Sequence, residues 1–467
     1  MGYGASYAVR SHLSKLRARP ISRGPIAMSA THQTSGSLPG LHPVADLTTS
    51  QHLALSTLWA AMNFVLGALL MILLPGQIRE MVSVQESGAR LGFLVSFGAI
   101  PALAVPLIVG PLSDRCRSAL GRRRPYILWG IVVAIGGLAI LYLGGSQRYF
   151  LLFMGGFFVL QIGMNVAMAA YSGFIPDLVP VTQRGLASGF MAIMSQAGTL
   201  VGVVLTGFLA QAGLYLISYA ILAGILVTGL LVTMKWVRET PLTEAQPRLN
   251  WIEHFRSLWI DPRLYPDFAW VWLTRALVML GFYALLPFLP FYLADVIRVE
   301  NWESMFGKLI GVVLVGSALS AVVAGRLSDR VGRKRIVYLA NGLMALMCLG
   351  FALCNTLEQV VGVAIIFGLG YGAYISVDWA LGTDVLPKAE DAAKDMAVWH
   401  VSMTLPQSIA ALPAGMLLAA FGVQKALDKD GVIQDHYTEA GFDWLFAAAA
   451  ICLALGALLL RNVKRAR

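Results

Sequence analysis

Residues 325–335 read Gly-Arg-Leu-Ser-Asp-Arg-Val-Gly-Arg-Lys-Arg, and residues 110–124 read Gly-Pro-Leu-Ser-Asp-Arg-Cys-Arg-Ser-Ala-Leu-Gly-Arg-Arg-Arg. Both stretches contain a glycine, an Asp-Arg pair, a second glycine and a basic run, and both follow an apolar segment. The earlier copy carries four more residues between its arginine and its second glycine. A motif that occurs twice in similar surroundings indicates that the chain is internally repeated.

Two other pairs of segments repeat at similar distances along the chain. Residues 176–180, Pro-Asp-Leu-Val-Pro, match residues 383–387, Thr-Asp-Val-Leu-Pro. Asn63 precedes a proline by 12 residues, and Arg275 does the same. The three repeats have offsets of 207 to 215 residues, which predicts two homologous halves.

The composition is that of a membrane protein. The chain is 57% hydrophobic and 13% charged, whereas soluble domains carry about 25% charged residues. Apolar runs of about 20 residues, enough for a helix to cross ~30 Å of hydrocarbon, recur along it. We predict an all-α protein with twelve transmembrane helices in two six-helix halves, at residues 53–74, 91–111, 126–145, 149–174, 184–210, 215–236, 268–292, 305–327, 336–355, 359–383, 394–421 and 441–460.

The distribution of basic residues predicts the topology. Of the 35 Lys and Arg residues, 27 lie on the side of the predicted termini, seven on the other side and one within a helix. Such an excess marks the cytoplasmic side, so we expect an inner-membrane protein with both termini in the cytoplasm. The net charge of +10 then reflects topology, and no nucleic-acid partner is expected.

Five regions follow from these patterns. Residues 1–50 form a polar tail, predicted to be disordered, and residues 51–236 form the first half. Residues 237–267 link the halves and contain an amphipathic segment predicted to lie on the inner leaflet of the bilayer. Residues 268–461 form the second half, and residues 462–467 a short cytoplasmic tail.

No pattern of catalytic or cofactor-binding residues accompanies the apolar spans. The four cysteines have neither disulfide nor metal-ligand spacing, and no glycine-rich phosphate loop is present. We therefore expect no enzyme activity, no cofactor and no metal, and ATP-driven transport by this chain alone is excluded.

The repeated motif resembles the signature of the major facilitator superfamily. The longer first copy, residues 113–127, resembles the sucrose–proton symporters and the glycoside–pentoside–hexuronide group. The resemblance implies a monomeric carrier in which two halves rock around a central site and transport a small solute with protons. Residues 185–210 lack the Gly-Pro pair of drug–proton antiporters, and Phe157 and Phe158 stand where those antiporters place an arginine, which disfavours efflux.

The resemblance also implies that the motif residues gate one side. Asp114 is expected to accept hydrogen bonds from the start of the eleventh helix, and Arg122 or Arg123 to reach Asp177, when the cytoplasmic side is closed. The same arginines serve as topology determinants. The gating candidates are Gly110, Asp114, Arg115, Gly121, Arg122, Arg123, Asp177, Arg184, Asp329, Arg330, Gly332, Arg333 and Asp384.

Ionisable residues inside the bilayer are costly and are functional candidates by default. Arg275, Asp378 and His400 lie at one predicted depth in the second half, which predicts an Arg275–Asp378 pair, either structural or coupled to transport. Polar uncharged candidates for the substrate or coupling site are Asn63, Asn165, Gln196, Gln407 and Tyr374.

Three functions remain open at this point. The first is proton-driven uptake of a sugar or glycoside. The second is export of an amphiphile. The third is a role without transport, as a receptor or as an assembly factor for a pigment–protein complex.

Overall fold

The computed structural model describes residues 46–239, 249–252, 256, 259–386, 392–427 and 433–464. Nearly all of the predicted N-terminal tail, much of the link between the halves and the last three residues lie outside the described residues. The disorder of the tail and the amphipathic helix of the link therefore remain predictions.

Twelve helices in the described part of the chain are long and apolar enough to cross a membrane, which confirms the predicted fold class. The prediction differs most at the first two spans: span 1 ends seven residues later, at Met81, and span 2 begins seven residues earlier, at Val84, with a polar first turn. Spans 1 to 12 are Thr49–Met81, Val84–Asp114, Arg124–Ser146, Phe150–Tyr171, Leu186–Gln211, Tyr215–Trp236, Pro266–Asp295, Trp302–Ser328, Arg333–Phe351, Leu357–Gly382, Val398–Ala420 and Glu439–Asn462.

Spans 1 and 7 are interrupted at equivalent positions. Span 1 contains a π-helical segment, Leu69–Leu73, just before Pro75. In span 7 the helix Pro266–Leu285 ends and Leu289–Asp295 begins again on the other side of Pro287. A proline lacks the N–H that the helix ladder needs and its ring crowds the preceding turn. Matched interruptions in two repeats are typical of transporter binding sites.

Small residues let neighbouring spans pack closely. Gly137 of span 3 lies against the backbone of Leu160 in span 4, where a Cβ atom would clash. Gly156 of span 4 faces Leu141 of span 3 in the same way. Because lipid tails are as apolar as the helices, such close packing is a main source of association in a membrane.

Two short strands that were not predicted from the sequence follow span 11. Strand β1 (Val423–Leu427) pairs antiparallel with β2 (Ile433–Tyr437). The last two residues of β2, His436 and Tyr437, are buried. Such short strands have little intrinsic stability, so contacts with the helices hold them in place, and sequence periodicity alone does not reveal them.

The two ends of the helix bundle differ. We call the end that carries β1 and β2 the hairpin face, and the end that carries residues 110–124 and 325–335 the motif face. The halves are in close contact towards the hairpin face, where span 2 packs on span 11 and span 5 on span 8. At the motif face, an added Cβ atom on Gly110 or Gly325 would meet no described atom within 4 Å.

Candidate functional site

A cavity of about 300 Å³ lies between the halves. Its polar lining includes three amides, Asn63 of span 1, Gln196 of span 5 and Gln407 of span 11, and the hydroxyl of Thr199. Its volume is at the lower end of the range that small-molecule sites occupy, about 300–1,000 Å³. These three amides are among the candidates predicted from the sequence, and the fold brings them to one cavity.

The interruptions of spans 1 and 7 lie in the cavity wall. Leu70 and Met71 of the π-helical segment line it, and so do Leu286 and Leu289 on either side of Pro287. π-Helical segments within α-helices occur frequently at functional sites. Here the break in each helix turns apolar side chains towards the space between the halves.

Aromatic rings form a second part of the lining. The rings of Phe282 and Tyr371 stack with centroids 4.6 Å apart and an interplanar angle of 7°. Tyr283 meets Phe282 edge to face at 5.3 Å. These rings come from spans 7 and 10, and all three line the cavity. They offer a flat, polarizable surface to a ring or an apolar chain of a ligand.

The cavity is electrically neutral. Among the described lining residues there is no Asp, Glu, Lys, Arg or His. Aliphatic side chains of spans 1, 7, 8 and 10 make up most of the remaining wall. Transfer of an unpaired charge into such surroundings is costly, so the site is suited to an uncharged ligand.

Arg275 and Asp378 form an ion pair behind this wall. Nη1 of Arg275 lies 3.1 Å from Oδ2 of Asp378, and both side chains are almost completely buried. Tyr374 donates a hydrogen bond to Oδ1 of Asp378 at 3.0 Å. The guanidinium lies 4.7 Å from the centroid of the Trp399 ring and contacts the sulfur of Met403. The pair and Tyr374 are absent from the cavity lining.

The remaining membrane candidates lie apart from the lining. His400 is half-buried and lies within electrostatic range of Arg275. Asn165 donates its amide N–H to the backbone oxygen of Gln161 at 2.8 Å, a contact within its own helix. Asn165 does not line the cavity, so the cavity candidates reduce to three amides.

The first copy of the motif forms a charge cluster within one half. Asp177 contacts Arg122 at 2.5 Å and Arg123 at 2.6 Å, and Arg123 also contacts Asp114 at 2.8 Å. Asp114 thus faces Arg123 of its own half, whereas the resemblance implied span 11 as its partner in the state closed at this side. We call Asp114, Arg122, Arg123, Asp177 and Glu239 the motif-face cluster.

Glu239 was not among the sequence candidates. It accepts hydrogen bonds from the backbone N–H groups of Arg123 at 2.9 Å and Arg124 at 3.3 Å, at the start of span 3. Burial raises the pKa of Glu239, although these hydrogen bonds and the charges of Arg122 and Arg123 lower it in part. A carboxylate here meets the unpaired N–H groups and the positive end of a helix dipole. Its position after span 6 did not indicate this role in the sequence, because the contact with the start of span 3 forms only when the chain folds.

The second copy has the same backbone geometry. Gly121 and Gly332 both have positive φ, +109° and +105°, a conformation that favours glycine. Arg333 pairs with Asp384 and donates to the backbone oxygen of Ala380 at 2.9 Å. Equivalent turns in both copies support the internal repeat.

The other motif residues make local contacts. Arg115 donates to the backbone oxygen of Pro111 at 3.0 Å, and Arg184 to that of Val179 at 3.4 Å. Arg330 is exposed at the end of its helix. The side chain of Asp329 lies outside the described part of the structure.

Twelve spans in two repeated halves, with a neutral cavity between them and charge clusters at one face, define a multi-pass membrane transporter. The profile of the Major Facilitator Superfamily matches residues 53–390 and 302–467, and the chain belongs to this family.

Known proteins that resemble this chain include an efflux pump and a multidrug resistance protein in sequence, and a sugar carrier in fold. The chain is 26% identical over 342 residues to the multi-drug resistance efflux pump PmrA of Streptococcus pneumoniae, covering 70% of this chain and 80% of that protein. It is 26% identical over 321 residues to the multidrug resistance protein MdtG of Proteus mirabilis, covering 65% and 74%. The crystal structure of a D-xylose–proton symporter superposes with a TM-score of 0.63 at 16% identity, covering 89% of this chain and 98% of that one. These matches do not confirm the narrower resemblance to sucrose–proton symporters.

Proposed function

We propose that this transporter exports an uncharged, amphiphilic organic solute that carries an apolar ring or chain and a few hydrogen-bonding groups. The observation that carries the proposal is the neutral cavity with its amides and its stacked aromatic rings. The direction is supported by the similarity to a protein named as a multi-drug resistance efflux pump and to one named as a multidrug resistance protein. Export of an amphiphile thus replaces uptake of a sugar or glycoside, which the sequence alone favoured, as the first candidate.

A highly hydroxylated solute is the weaker candidate because the cavity wall offers few hydrogen-bonding partners. Most of the lining is aliphatic, so many hydroxyl groups of a sugar would lose water without gaining partners. Each unsatisfied buried polar group costs about 1–3 kcal/mol. Proton-driven uptake of a sugar or glycoside remains the second candidate, favoured by the aromatic faces and amides that also suit a pyranose ring.

We place the motif face towards the cytoplasm, in line with the basic loops at that end. The halves are in contact at the hairpin face, so the structure corresponds to a carrier open towards the motif face. Transport then requires opening of the hairpin-face contacts and closure of the opposite side around the cavity. We further propose that a proton gradient drives this cycle.

A transport assay in liposomes separates the candidates. Purified protein is reconstituted, and movement of a neutral amphiphilic dye, of sucrose and of a lipophilic cation is followed with and without an imposed proton gradient. Gradient-dependent movement of the dye, with little movement of the other two solutes, is expected. Movement of sucrose alone supports the second candidate, and movement of the cation alone contradicts a site for neutral solutes.

Variants of the amides connect transport to the cavity. Gln196→Leu and Gln407→Leu each remove a polar group from the lining and should raise KM for the dye about 5- to 150-fold, equivalent to ~1–3 kcal/mol. Asn165→Leu is the matched control, because this amide lies within a span but away from the cavity. Equal effects of all three variants would show that the amides act on the fold instead of on the solute.

A further inference from the structure

Three polar side chains meet at the hairpin face, where the two halves touch. Nη2 of Arg79, at the end of span 1, lies 2.7 Å from Oδ1 of Asp295, at the end of span 7. Nδ1 of His436, in strand β2, lies 3.3 Å from the same oxygen. The Asp295 side chain is completely buried, and that of His436 is 7% exposed. We call these three residues the hairpin-face triad.

The three residues of the triad are divided unequally between the halves. Arg79 belongs to the first half, whereas Asp295 and His436 both belong to the second. Separation of the halves at this face must therefore break the Arg79–Asp295 contact, but it leaves His436 and Asp295 within one half. The carboxylate then loses its cation and keeps the imidazole beside it.

The hairpin holds the imidazole in place. The next residue, Tyr437, accepts a hydrogen bond from the backbone N–H of Gly88 in span 2 at 2.6 Å. Its ring stacks on Phe291 of span 7, over which the Arg79 guanidinium also lies. Strand β2 is therefore packed against both halves when this face is closed.

The triad retains unused hydrogen-bonding capacity. In the described part of the chain, Nη1 of Arg79, Oδ2 of Asp295 and Nε2 of His436 are buried and lack a hydrogen-bond partner. With Nδ1–H directed at the carboxylate, the Nε2 lone pair of a neutral imidazole is free to accept a proton. The product is an imidazolium beside Asp295.

We propose that the His436–Asp295 pair is a proton site that competes with Arg79 and thereby couples proton binding to opening of the hairpin face. In the closed state, Arg79 already neutralises the carboxylate, so a proton on His436 would leave two cations facing one buried anion. In the open state Arg79 has left, and the imidazolium takes its place. A proton from solution at this face binds Nε2 on opening and is released from Nε2 on closure.

The direction of the effect follows from this difference in proton affinity. A ligand shifts an equilibrium only by its differential affinity for the two states, and here the open state binds one more proton. Acidification at the hairpin face should therefore favour opening, with a change in the open-to-closed ratio of at most about tenfold per pH unit. The inference uses the proposed transport function only in assuming that the halves alternate.

Several other charged groups near the triad are engaged in contacts of their own or lie on the other side of a strand. Glu80 accepts a hydrogen bond from Tyr215 at 2.5 Å, and Glu303 interacts with Arg79 and Glu80. Asp435 neighbours His436 along β2, so its side chain projects from the opposite face of the strand, opposite Lys425 in the pairing register. The charged residues at the nearby starts of spans 2 and 12 are Glu86, which pairs with Arg90, and Glu439.

Distance measurements between spin labels test the proposal without any substrate, so the result is independent of the solute that is transported. The full chain, with its four cysteines replaced by alanine, carries labels at Gln85→Cys in the first half and Gln434→Cys in the second. Both positions are exposed at the hairpin face. In nanodiscs, one short distance is expected near pH 8, and a longer population should grow as the pH falls towards about 5.

Three variants separate the triad from other titrating groups. His436→Gln should keep the short distance at every pH, and Asp295→Asn, which imitates loss of the charge, should give the long population at every pH. His52→Gln is the matched control, because His52 is buried near the motif-face end of span 1, stacked on Phe190, and should leave the pH response unchanged.

The proposal is overturned if the unmodified triad shows no pH response, or if His436→Gln retains it. His436→Asn provides a second variant should the glutamine be poorly tolerated. A pH-dependent short distance in Asp295→Asn would likewise contradict competition for this carboxylate.

Discussion

Arg275 and Asp378 approach to 3.1 Å in the second half, with Trp399 beneath the guanidinium and Tyr374 on the carboxylate. Neither charge lines the cavity, but two tyrosines of its wall, Tyr283 and Tyr371, lie within electrostatic range of Arg275. The pair thus lies outside the cavity but within electrostatic range of its wall.

We predict that the two charges depend on each other for stability. Asp378→Asn alone leaves a buried cation without its anion, which should cost about 3–5 kcal/mol, and Arg275→Gln alone should cost a similar amount. The double variant removes the stranded charge and should be more stable than the sum of the single effects. Thermal unfolding in detergent measures this, and additive losses would contradict it.

Transport by the same variants distinguishes a structural pair from a coupling pair. A structural pair should regain transport together with stability in the double variant. A coupling pair should regain stability alone, and solute movement should no longer respond to the proton gradient. His400→Ala should shift the pH optimum of transport if the imidazole titrates with the pair.

A second prediction concerns the contact of the halves at the hairpin face. Gly92 of span 2 lies against the backbone of Ala411 in span 11, so a side chain there would clash with its carbonyl oxygen. Gly92→Leu should therefore prevent closure and populate the form open at this face. Leu418→Cys, completely buried in the closed form, should then react with a membrane-impermeant maleimide at least tenfold faster.

Gly155→Leu is the control for this substitution. Gly155 lies in span 4, and an added Cβ atom would have no described neighbour within 4 Å. The labelling rate of Leu418→Cys should stay unchanged in this background. Equal acceleration by both glycine variants would indicate general loosening of the bundle.

Two carboxylates of the motif-face cluster should behave differently. Asp177 is contacted by Arg122 and Arg123 and is 20% exposed, whereas Asp114 has one arginine contact and is 48% exposed. Asp177→Asn should lower stability by about 1–3 kcal/mol in any conformation, because the cluster lies within one half. Asp114→Asn should cost less than about 1 kcal/mol here.

The two variants are best distinguished by the fraction of protein that is open at the motif face. If Asp114 exchanges Arg123 for the start of span 11 on closure of the motif face, then Asp114→Asn destabilises mainly the closed form. Spin labels across the motif face should then show a larger open population in Asp114→Asn than in Asp177→Asn. The reverse order would place the switch at Asp177.

The transmembrane spans and the ion pair inside the membrane could be predicted from the sequence, because they depend on hydrophobic periodicity and on isolated charges. The spans follow from apolar length, and the Arg275–Asp378 pair follows from equal depth, since an unpaired charge is costly in the bilayer. The Arg79–Asp295 contact could not be predicted in this way. Both residues lie at the ends of spans, where water can solvate a charge, and 216 residues separate them.

The residues of the candidate site also divide into those that could be predicted from the sequence and those that could not. Amides inside spans are rare enough to be selected from sequence, and three of them line the cavity. The stacked ring of Phe282 was not selected, because an aromatic residue in a membrane helix is equally expected against lipid. Glu239 was missed because its partners are backbone N–H groups of another span, which carry no sequence signal.

The last prediction concerns the pH dependence of stability that arises from Glu239. Burial raises the pKa of this carboxyl above its value in the unfolded chain. The folded protein therefore binds more protons than the unfolded protein at pH values just above the unfolded pKa, about 4.3. This contribution to stability is fully present below that pKa and is lost as the pH rises through the folded pKa. At neutral pH the ionised carboxylate retains part of the cost of burial.

Glu239→Gln keeps a carbonyl oxygen for the N–H groups of Arg123 and Arg124 and removes the titration. Its stability should lie close to that of the unmodified protein at about pH 4 and above it at pH 7, so the fall in stability between these pH values should become shallower. Melting temperatures of both proteins over this range measure the difference. Glu80→Gln is the control, because Glu80 lies at the hairpin face and bonds Tyr215 instead of backbone N–H groups. If Glu239→Gln is steeper than the unmodified protein, hydrogen bonds and the arginines outweigh burial, and the carboxylate stabilises the start of span 3 as an anion.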